Sequence, residues 1–213
     1  MRGISVLIII SLLIVGCAVL LSRVRSIESI LYHLFHHLDI IFNYRLSSNF
    51  FINTIYKYYF QIFDRDSHRS EFQLVAPSLY ISNKFGCYNE NKLIKYNITH
   101  ILIAGSLLTK RFPSRYRYHQ LNLRDIPSEN IGQYFAECVD FIEQAIESKG
   151  TVVVHCSAGM SRSAAIVVAY LMHAKKLTFD QAYSKLKEVR PCVGINDGFQ
   201  KQLRAWQKEG MPL

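Results

Sequence analysis

The sequence predicts an α/β fold over residues 71–210, in which helices flank a mostly parallel central sheet. Two observations lead to this prediction. Short apolar runs of strand length alternate with longer segments that have helical spacing, which is typical of strands joined through helices. One of the runs, residues 151–155, is β-branched almost throughout, as expected of a central strand that is buried on both faces.

The predicted elements follow one another at short intervals. The strands are runs rich in Leu, Ile, Val and Tyr, and the helices repeat apolar residues every three or four positions. Gly150 follows the second helix and is a typical helix stop. Strands are expected at residues 79–81, 100–103, 116–123 and 151–155, and helices at residues 90–96, 131–148, 164–174, 178–189 and 197–207.

An uncharged apolar run at residues 4–22 precedes this domain. A helix of that length reaches across a hydrocarbon core of roughly 30 Å, so residues 1–25 are predicted to form a transmembrane anchor. A cleaved secretory signal and a buried core helix are the alternatives. Because Arg23 and Arg25 follow the run, the positive-inside rule favours a single-pass membrane protein whose C-terminal domain lies in the cytosol.

Residues 26–70 are predicted to be a juxtamembrane helical segment and a linker. Apolar side chains from Ile27 to Leu38 fit one helical face. His33, His36 and His37 lie in this segment, but no carboxylate or cysteine completes a set of metal ligands. We therefore expect no metal there.

Composition narrows the remaining classes of function. The net charge is +9, yet lysines and arginines are not interleaved with aromatic residues as in a nucleic-acid groove, so no nucleic-acid partner is expected. The five cysteines form no CxxC pair and no spacing typical of metal ligands. Reduced thiols are therefore expected, with neither a disulfide framework nor a zinc site, and no cofactor is predicted.

The segment from residue 152 to residue 163 carries the predicted chemistry. The buried strand leads to Cys156, and a tight loop then begins a helix whose first N–H groups and positive dipole end form an anion site. The same field stabilises a thiolate, which makes Cys156 nucleophilic. Gly159 lets the backbone approach a phosphate, Arg162 offers a planar fork of donors, and Ser163 can donate to the sulfur. The residues expected to line the site are His155, Ser157, Ala158, Gly159, Met160, Ser161 and Arg162.

The alternative is a buried structural thiol beside an ordinary surface arginine. The pattern His-Cys-x-x-Gly-x-x-Arg-Ser between a strand and a helix is much more specific than either residue alone. With this pattern, residues 72–206 resemble small atypical dual-specificity phosphatases of the protein tyrosine phosphatase superfamily. The resemblance also rests on residues 79–81, 98–102, Ala182, Arg190, Pro191, Asn196, Phe199, Gln202 and Leu203.

The resemblance implies a protein tyrosine phosphatase-like fold and hydrolysis of phosphotyrosine and phosphoserine or phosphothreonine in proteins, through a phosphocysteine intermediate. It implies that Asp125, in the segment 121–127, is the general acid and base, with Glu129 as a second candidate. The alternative for Asp125 is an exposed loop carboxylate. His155 would tune the pKa of Cys156, and Asn196 would brace the loop, although Ile195 replaces the proline usual in the family.

Two other functions stay open at this point. One is a phosphatase for phosphoinositides or another non-protein substrate, although inositide-directed loops tend to carry lysines and residues 157–161 contain none. The other is an inactive module that binds phosphate. Cys87, Cys138 and Cys192 are either core thiols or include a resolving thiol for Cys156. The sequence predicts no oligomeric state.

Overall fold

The computed structural model describes residues 71–213. The predictions for the apolar run, the juxtamembrane segment and its three histidines fall outside these residues. Over residues 71–213, no helix is both long enough and apolar enough to span a membrane. The strands are β1 (Gln73–Ala76), β2 (Leu79–Asn83), β3 (His100–Ala104), β4 (Arg117–Leu121) and β5 (Val152–Cys156).

Helices follow the strands in the predicted alternation. A 3₁₀ turn at Gly132–Tyr134 leads directly into the third helix. The helices are α1 (Lys84–Cys87), α2 (Glu90–Lys95), α3 (Phe135–Glu147), α4 (Arg162–Lys175), α5 (Phe179–Val189) and α6 (Asp197–Lys208).

The five strands form one sheet in the order β1-β2-β5-β3-β4. Strand β5 lies in the middle and runs parallel to both β2 and β3, and β4 runs parallel to β3. Only β1 among these strands is antiparallel to its neighbour. The predicted mostly parallel sheet is therefore confirmed, and it brings the C-terminal ends of β2, β3, β4 and β5 to one edge.

Both faces of the sheet are buried, which explains the continuous apolar run of β5. Val152 and Val154 pack into the larger core with α3, α4, α5 and α6. Val153 points to the other face, into a smaller cluster that includes Cys87 and Leu93 from α1 and α2. Helices therefore flank the sheet on both sides, as the sequence predicts.

Side-chain caps define where two of the later helices begin. Thr178 accepts from the Gln181 N–H while the Gln181 side chain accepts from the Thr178 N–H, which is a complete capping box at the start of α5. Asn196 caps α6 and accepts from the N–H of Phe199 at 3.0 Å. The second cap places Asn196 beside the predicted site.

The structure differs from the sequence prediction at short elements. The strand expected at residues 116–123 is limited to Arg117–Leu121, because β4 pairs on one side only, with β3. The four-residue elements β1 and α1 were not predicted. Strand β1 is short and lies at the sheet edge, and α1 is a single turn, so neither contains enough residues to establish a period.

Candidate active site

Cys156 is the last residue of the central strand, and α4 begins at Arg162. The Cys156 side chain is buried, and its Sγ accepts hydrogen bonds from the Gly159 N–H and the Ser163 hydroxyl, each at 3.2 Å. Both donors belong to the segment from residue 152 to residue 163 that the sequence predicts to carry the chemistry. The structure therefore places the sulfur inside the turn of the loop, next to the start of the helix.

The pKa of Cys156 lies below the usual range for a thiol. Burial raises it, but the positive charge of Arg162 and the hydrogen bonds from Ser163 outweigh that effect, while the charge of Asp125 opposes them. The loop thus stabilises a thiolate, as the sequence predicts.

Gly159 turns the loop with a φ of 70°, in the left-handed region that favours glycine. A Cβ atom at this position would lie 2.5 Å from the backbone oxygen of Ser82 and 2.5 Å from an Arg190 nitrogen. The loop therefore packs against β2 with no room for a side chain at residue 159.

Arg190 holds the loop from the other side. Its buried guanidinium donates from Nε to the Gly159 oxygen at 2.8 Å and from Nη2 to the Ala158 oxygen at 3.3 Å. A third bond runs from Nη1 to the side chain of Gln73. The sequence resemblance included Arg190 but gave it no role, since the contact joins residues 31 positions apart along the chain. Arg190 fixes the carbonyls of Ala158 and Gly159, while the Gly159 N–H donates to the sulfur.

Asp125 follows β4 and reaches the loop. Its Oδ1 accepts from the Ser161 hydroxyl at 2.7 Å and from the Asn196 amide at 2.9 Å, and its Oδ2 lies 3.4 Å from Arg162 Nε. The Asp125 side chain is only 7% exposed, so the alternative of an exposed loop carboxylate is wrong. The structure therefore brings Asp125, Ser161, Arg162 and Asn196 into one hydrogen-bonded group.

The replacement of the family's proline by Ile195 leaves the loop connection intact. Ile195 is buried, and its N–H lies 3.4 Å from the Tyr183 hydroxyl, a bond that proline could not donate. The next residue, Asn196, donates its backbone N–H to the Ser161 hydroxyl at 3.3 Å. Asn196 therefore contacts both the loop and Asp125.

His155 is buried beside the nucleophile. The pKa of His155 is lowered to about 4, chiefly by burial; the contact with the Cys156 carbonyl raises it, and the charge of Arg162 lowers it. The imidazole is therefore neutral near pH 7. Its Nδ1 lies 3.3 Å from the Cys156 backbone oxygen, so the contact is with the main chain of the nucleophile. That His155 tunes the pKa of the Cys156 thiol stays a prediction.

The remaining candidates are Glu129 and three further cysteines. Glu129, the second candidate for the acid, pairs with Arg124 at 2.8 Å. Cys87 and Cys138 are buried, Cys192 is half-buried, and all three are free thiols. Burial raises the pKa of both Cys87 and Cys138 well above the usual range, which fits core thiols. A resolving role for any of them stays a prediction.

Sequence comparisons identify proteins that are similar to this chain. Residues 79–209 match the family model described as "Dual specificity phosphatase, catalytic domain". The chain is 40% identical over 134 residues to dual specificity protein phosphatase 19 of Mus musculus, covering 63% of this chain and 61% of that protein. It is 41% identical over 135 residues to dual specificity protein phosphatase 1 of Arabidopsis thaliana, covering 63% of this chain and 68% of that one. The chain thus spans about two thirds of the length of these relatives.

A solved structure gives a similar result. The human tyrosine phosphatase-like serine/threonine/tyrosine-interacting protein superposes with a TM-score of 0.64 at 32% sequence identity, over 68% of this chain and 100% of that one.

Proposed function

Since the chain belongs to the dual specificity phosphatase family, we propose that it hydrolyses phosphotyrosine and phosphoserine or phosphothreonine in proteins. The observation that carries this proposal is the position of Cys156 Sγ, which accepts two hydrogen bonds within a loop that also carries Arg162. A thiolate, a guanidinium and helix N–H groups at one point suit a phosphate dianion in chemistry and in charge.

In the first step, Cys156 Sγ attacks the phosphorus and the bond between phosphorus and the side-chain oxygen breaks. Arg162 and the N–H groups of residues 157–162 stabilise the charge that spreads over the phosphoryl oxygens. Asp125, once protonated, gives its proton to the departing oxygen, so the dephosphorylated side chain leaves as a neutral alcohol or phenol. The product on the protein is a phosphocysteine.

In the second step, water attacks the same phosphorus and the sulfur–phosphorus bond breaks. Asp125 takes the proton from that water, and inorganic phosphate is released. Ser163 donates a hydrogen bond to the sulfur at 3.2 Å, which stabilises the thiolate as it leaves. The enzyme returns to its starting state with the proton on Asp125.

Turnover of three substrates by the full chain tests the proposal. The substrates are a phosphotyrosine peptide, a phosphothreonine peptide and a short-chain phosphoinositide. We expect turnover of both peptides and a loss of about 10³-fold or more with Cys156→Ser. Cys192→Ser, which replaces a half-buried cysteine outside the loop, is the matched control and should keep activity.

Each contrary result has a definite meaning. Equal rates for Cys156→Ser and the unaltered chain would exclude the phosphocysteine mechanism. Faster turnover of the phosphoinositide than of either peptide would assign the chain to non-protein substrates. Binding of a phosphopeptide without turnover would identify an inactive phosphate-binding module.

We also propose that residues 1–25 anchor the chain in a membrane with the phosphatase domain in the cytosol. The uncharged run at residues 4–22 and the arginines that follow it support this orientation. Asn97 begins an Asn-Ile-Thr acceptor and is exposed, so a lumenal domain would be glycosylated there. Retention of the chain in carbonate-washed membranes, without endoglycosidase-sensitive mass, is the expected result, and glycosylated Asn97 would reverse the orientation.

A further inference from the structure

Three side chains with metal-binding atoms meet between β4 and α3, in a group separate from the Cys156 loop. His119 lies on β4, and Glu137 and Cys138 are consecutive residues of α3. A ring nitrogen of His119, a carboxylate oxygen of Glu137 and Cys138 Sγ all lie within 4.8 Å of one another. These residues take no part in the proposed phosphatase mechanism.

The His119 ring is oriented toward this group. Its Nε2 lies 3.4 Å from Glu137 Oε1, and the ring stacks on Phe141 with a centroid distance of 5.3 Å and an interplanar angle of 29°. Nε2 is shielded from solvent and makes no hydrogen bond within residues 71–213, although the Glu137 carboxylate lies beside it. A buried nitrogen without a hydrogen bond, next to a carboxylate, can accept a ligand that both groups share.

The three donors differ in chemistry, and together they favour one class of metal. Imidazole nitrogen, carboxylate oxygen and thiolate sulfur are the ligands of Zn²⁺, whereas Mg²⁺ and Ca²⁺ prefer oxygen alone. Bonds of about 2.0–2.3 Å at tetrahedral angles place ligand atoms roughly 3.5 Å apart, close to the separation of His119 and Glu137.

We propose that His119, Glu137 and Cys138 bind a Zn²⁺ ion, with water as the fourth ligand. Binding displaces the proton of the Cys138 thiol, so the affinity increases with pH. The ion joins β4, at the edge of the sheet, to α3. The site does not form a sequence motif, because the ligands lie on different elements with 17 residues between His119 and Glu137. An expectation based on spacing along the chain could therefore not reveal it.

The test uses the full chain carrying Cys156→Ser, which removes the competing active-site thiolate. Zn²⁺ affinity is measured by competition with a chromophoric chelator, and Co²⁺ is added as a spectroscopic probe. We expect the number of bound Zn²⁺ ions to fall by one per chain with His119→Ala and with Cys138→Ala. Cys138→Ala should also remove the sulfur-to-cobalt charge-transfer band, and Glu137→Gln should weaken binding at least tenfold.

Matched controls separate ligation from general damage. His173→Ala replaces another histidine that stacks on an aromatic ring, and Cys192→Ser replaces a cysteine outside the group. Both should leave the Zn²⁺ count unchanged. Circular dichroism checks folding, and His119 is exposed enough for its replacement to be tolerated if Cys138→Ala unfolds the chain. An unchanged Zn²⁺ count in folded His119→Ala, or a cobalt spectrum without a sulfur band in the parent, would overturn the proposal.

Discussion

Two buried cysteines of this domain, Cys156 and Cys138, have thiol pKa values that are shifted in opposite directions. Both side chains are almost completely inaccessible to solvent. Burial raises the pKa of Cys138, and the nearby Glu137 carboxylate raises it further. Burial acts on Cys156 in the same direction, but Arg162 and Ser163 reverse the outcome and lower its pKa. Burial is therefore common to both thiols, and the cation and donors at the helix start make the difference.

The largest effect is expected from Arg162→Met, which removes the cation but keeps most of the side-chain volume. The pKa of Cys156 should then rise toward that of a buried thiol such as Cys138, and kcat/KM for a phosphotyrosine peptide should fall about 10³-fold or more. Alkylation of Cys156 by iodoacetamide at pH 6, followed by mass spectrometry, reports the thiolate directly.

Arg162→Lys separates charge from geometry at the same position. It keeps a positive charge, so alkylation at pH 6 should persist, yet turnover should stay low because an ammonium cannot make the two-pronged contact with phosphate. Unaltered alkylation in Arg162→Met would show that the cation does not make the difference between the two thiols.

Asp125→Asn should remove the proton donor and leave the Cys156 nucleophile in place. We expect kcat for a phosphotyrosine peptide to fall by about 10²–10³-fold, and by less for an aryl phosphate whose leaving group needs no proton. The pKa of Cys156 should fall at the same time, because the charge of Asp125 raises it. Glu129→Gln is the control and should retain kcat; slower alkylation of Cys156 in Asp125→Asn would contradict the electrostatic account.

Burial keeps His155 neutral, and the charge of Arg162 adds to this effect, with consequences for stability in acid. The pKa of His155 falls from 6.5 to about 4 on folding, so the folded domain binds fewer protons in this window than the unfolded chain. The stabilisation that this shift gives is fully present above pH 6.5 and is lost as the pH falls to 4. The free energy of unfolding decreases by about 3 kcal/mol over this range. Urea unfolding at pH 7, 5.5 and 4 measures it.

His155→Asn should reduce this acid-induced loss relative to the unaltered chain. His173→Ala provides the comparison, since it removes a histidine remote from the loop and should leave the pH dependence as it is. An equal loss of stability in His155→Asn and the unaltered chain would show that His155 is not the group responsible.

The smallest effect is expected from Ser163→Ala, which removes one donor to the sulfur. A hydrogen bond to a charged group contributes about 1.5–3 kcal/mol, so we expect the pKa of Cys156 to rise by about one pH unit and kcat to fall roughly tenfold. Ser184→Ala, on the exposed surface of α5, is the matched control. A pH dependence of alkylation identical to that of the unaltered chain would show that Ser163 does not stabilise the thiolate.

The loop from Cys156 to Ser163 could be predicted because its residues are contiguous and stand between a strand and a helix. The group around Asp125 could not be derived in this way. Its hydrogen bonds span 36 residues to Ser161 and 71 residues to Asn196, and only the resemblance to a family suggested that these residues act together. Hydrophobic periodicity identifies elements but does not specify which loops meet.

The role of Arg190 could not be predicted even from the family resemblance. In the sequence it stands at the end of a helix before a proline, where an arginine is ordinarily exposed. In the structure it is buried and bonded to two loop carbonyls. Buried charge is rare and depends on partners supplied by tertiary structure, so composition and spacing gave no signal for it.

The central position of β5 also determines when Cys156 becomes reactive during synthesis of the chain. During synthesis β2, β3 and β4 emerge before β5, but β2 and β3 are not neighbours in the finished sheet and become joined only when β5 enters between them. The helix start and Arg162 emerge later still. A nascent chain therefore carries Cys156 as an ordinary thiol, and its reactivity appears only with the completed fold, which limits premature oxidation.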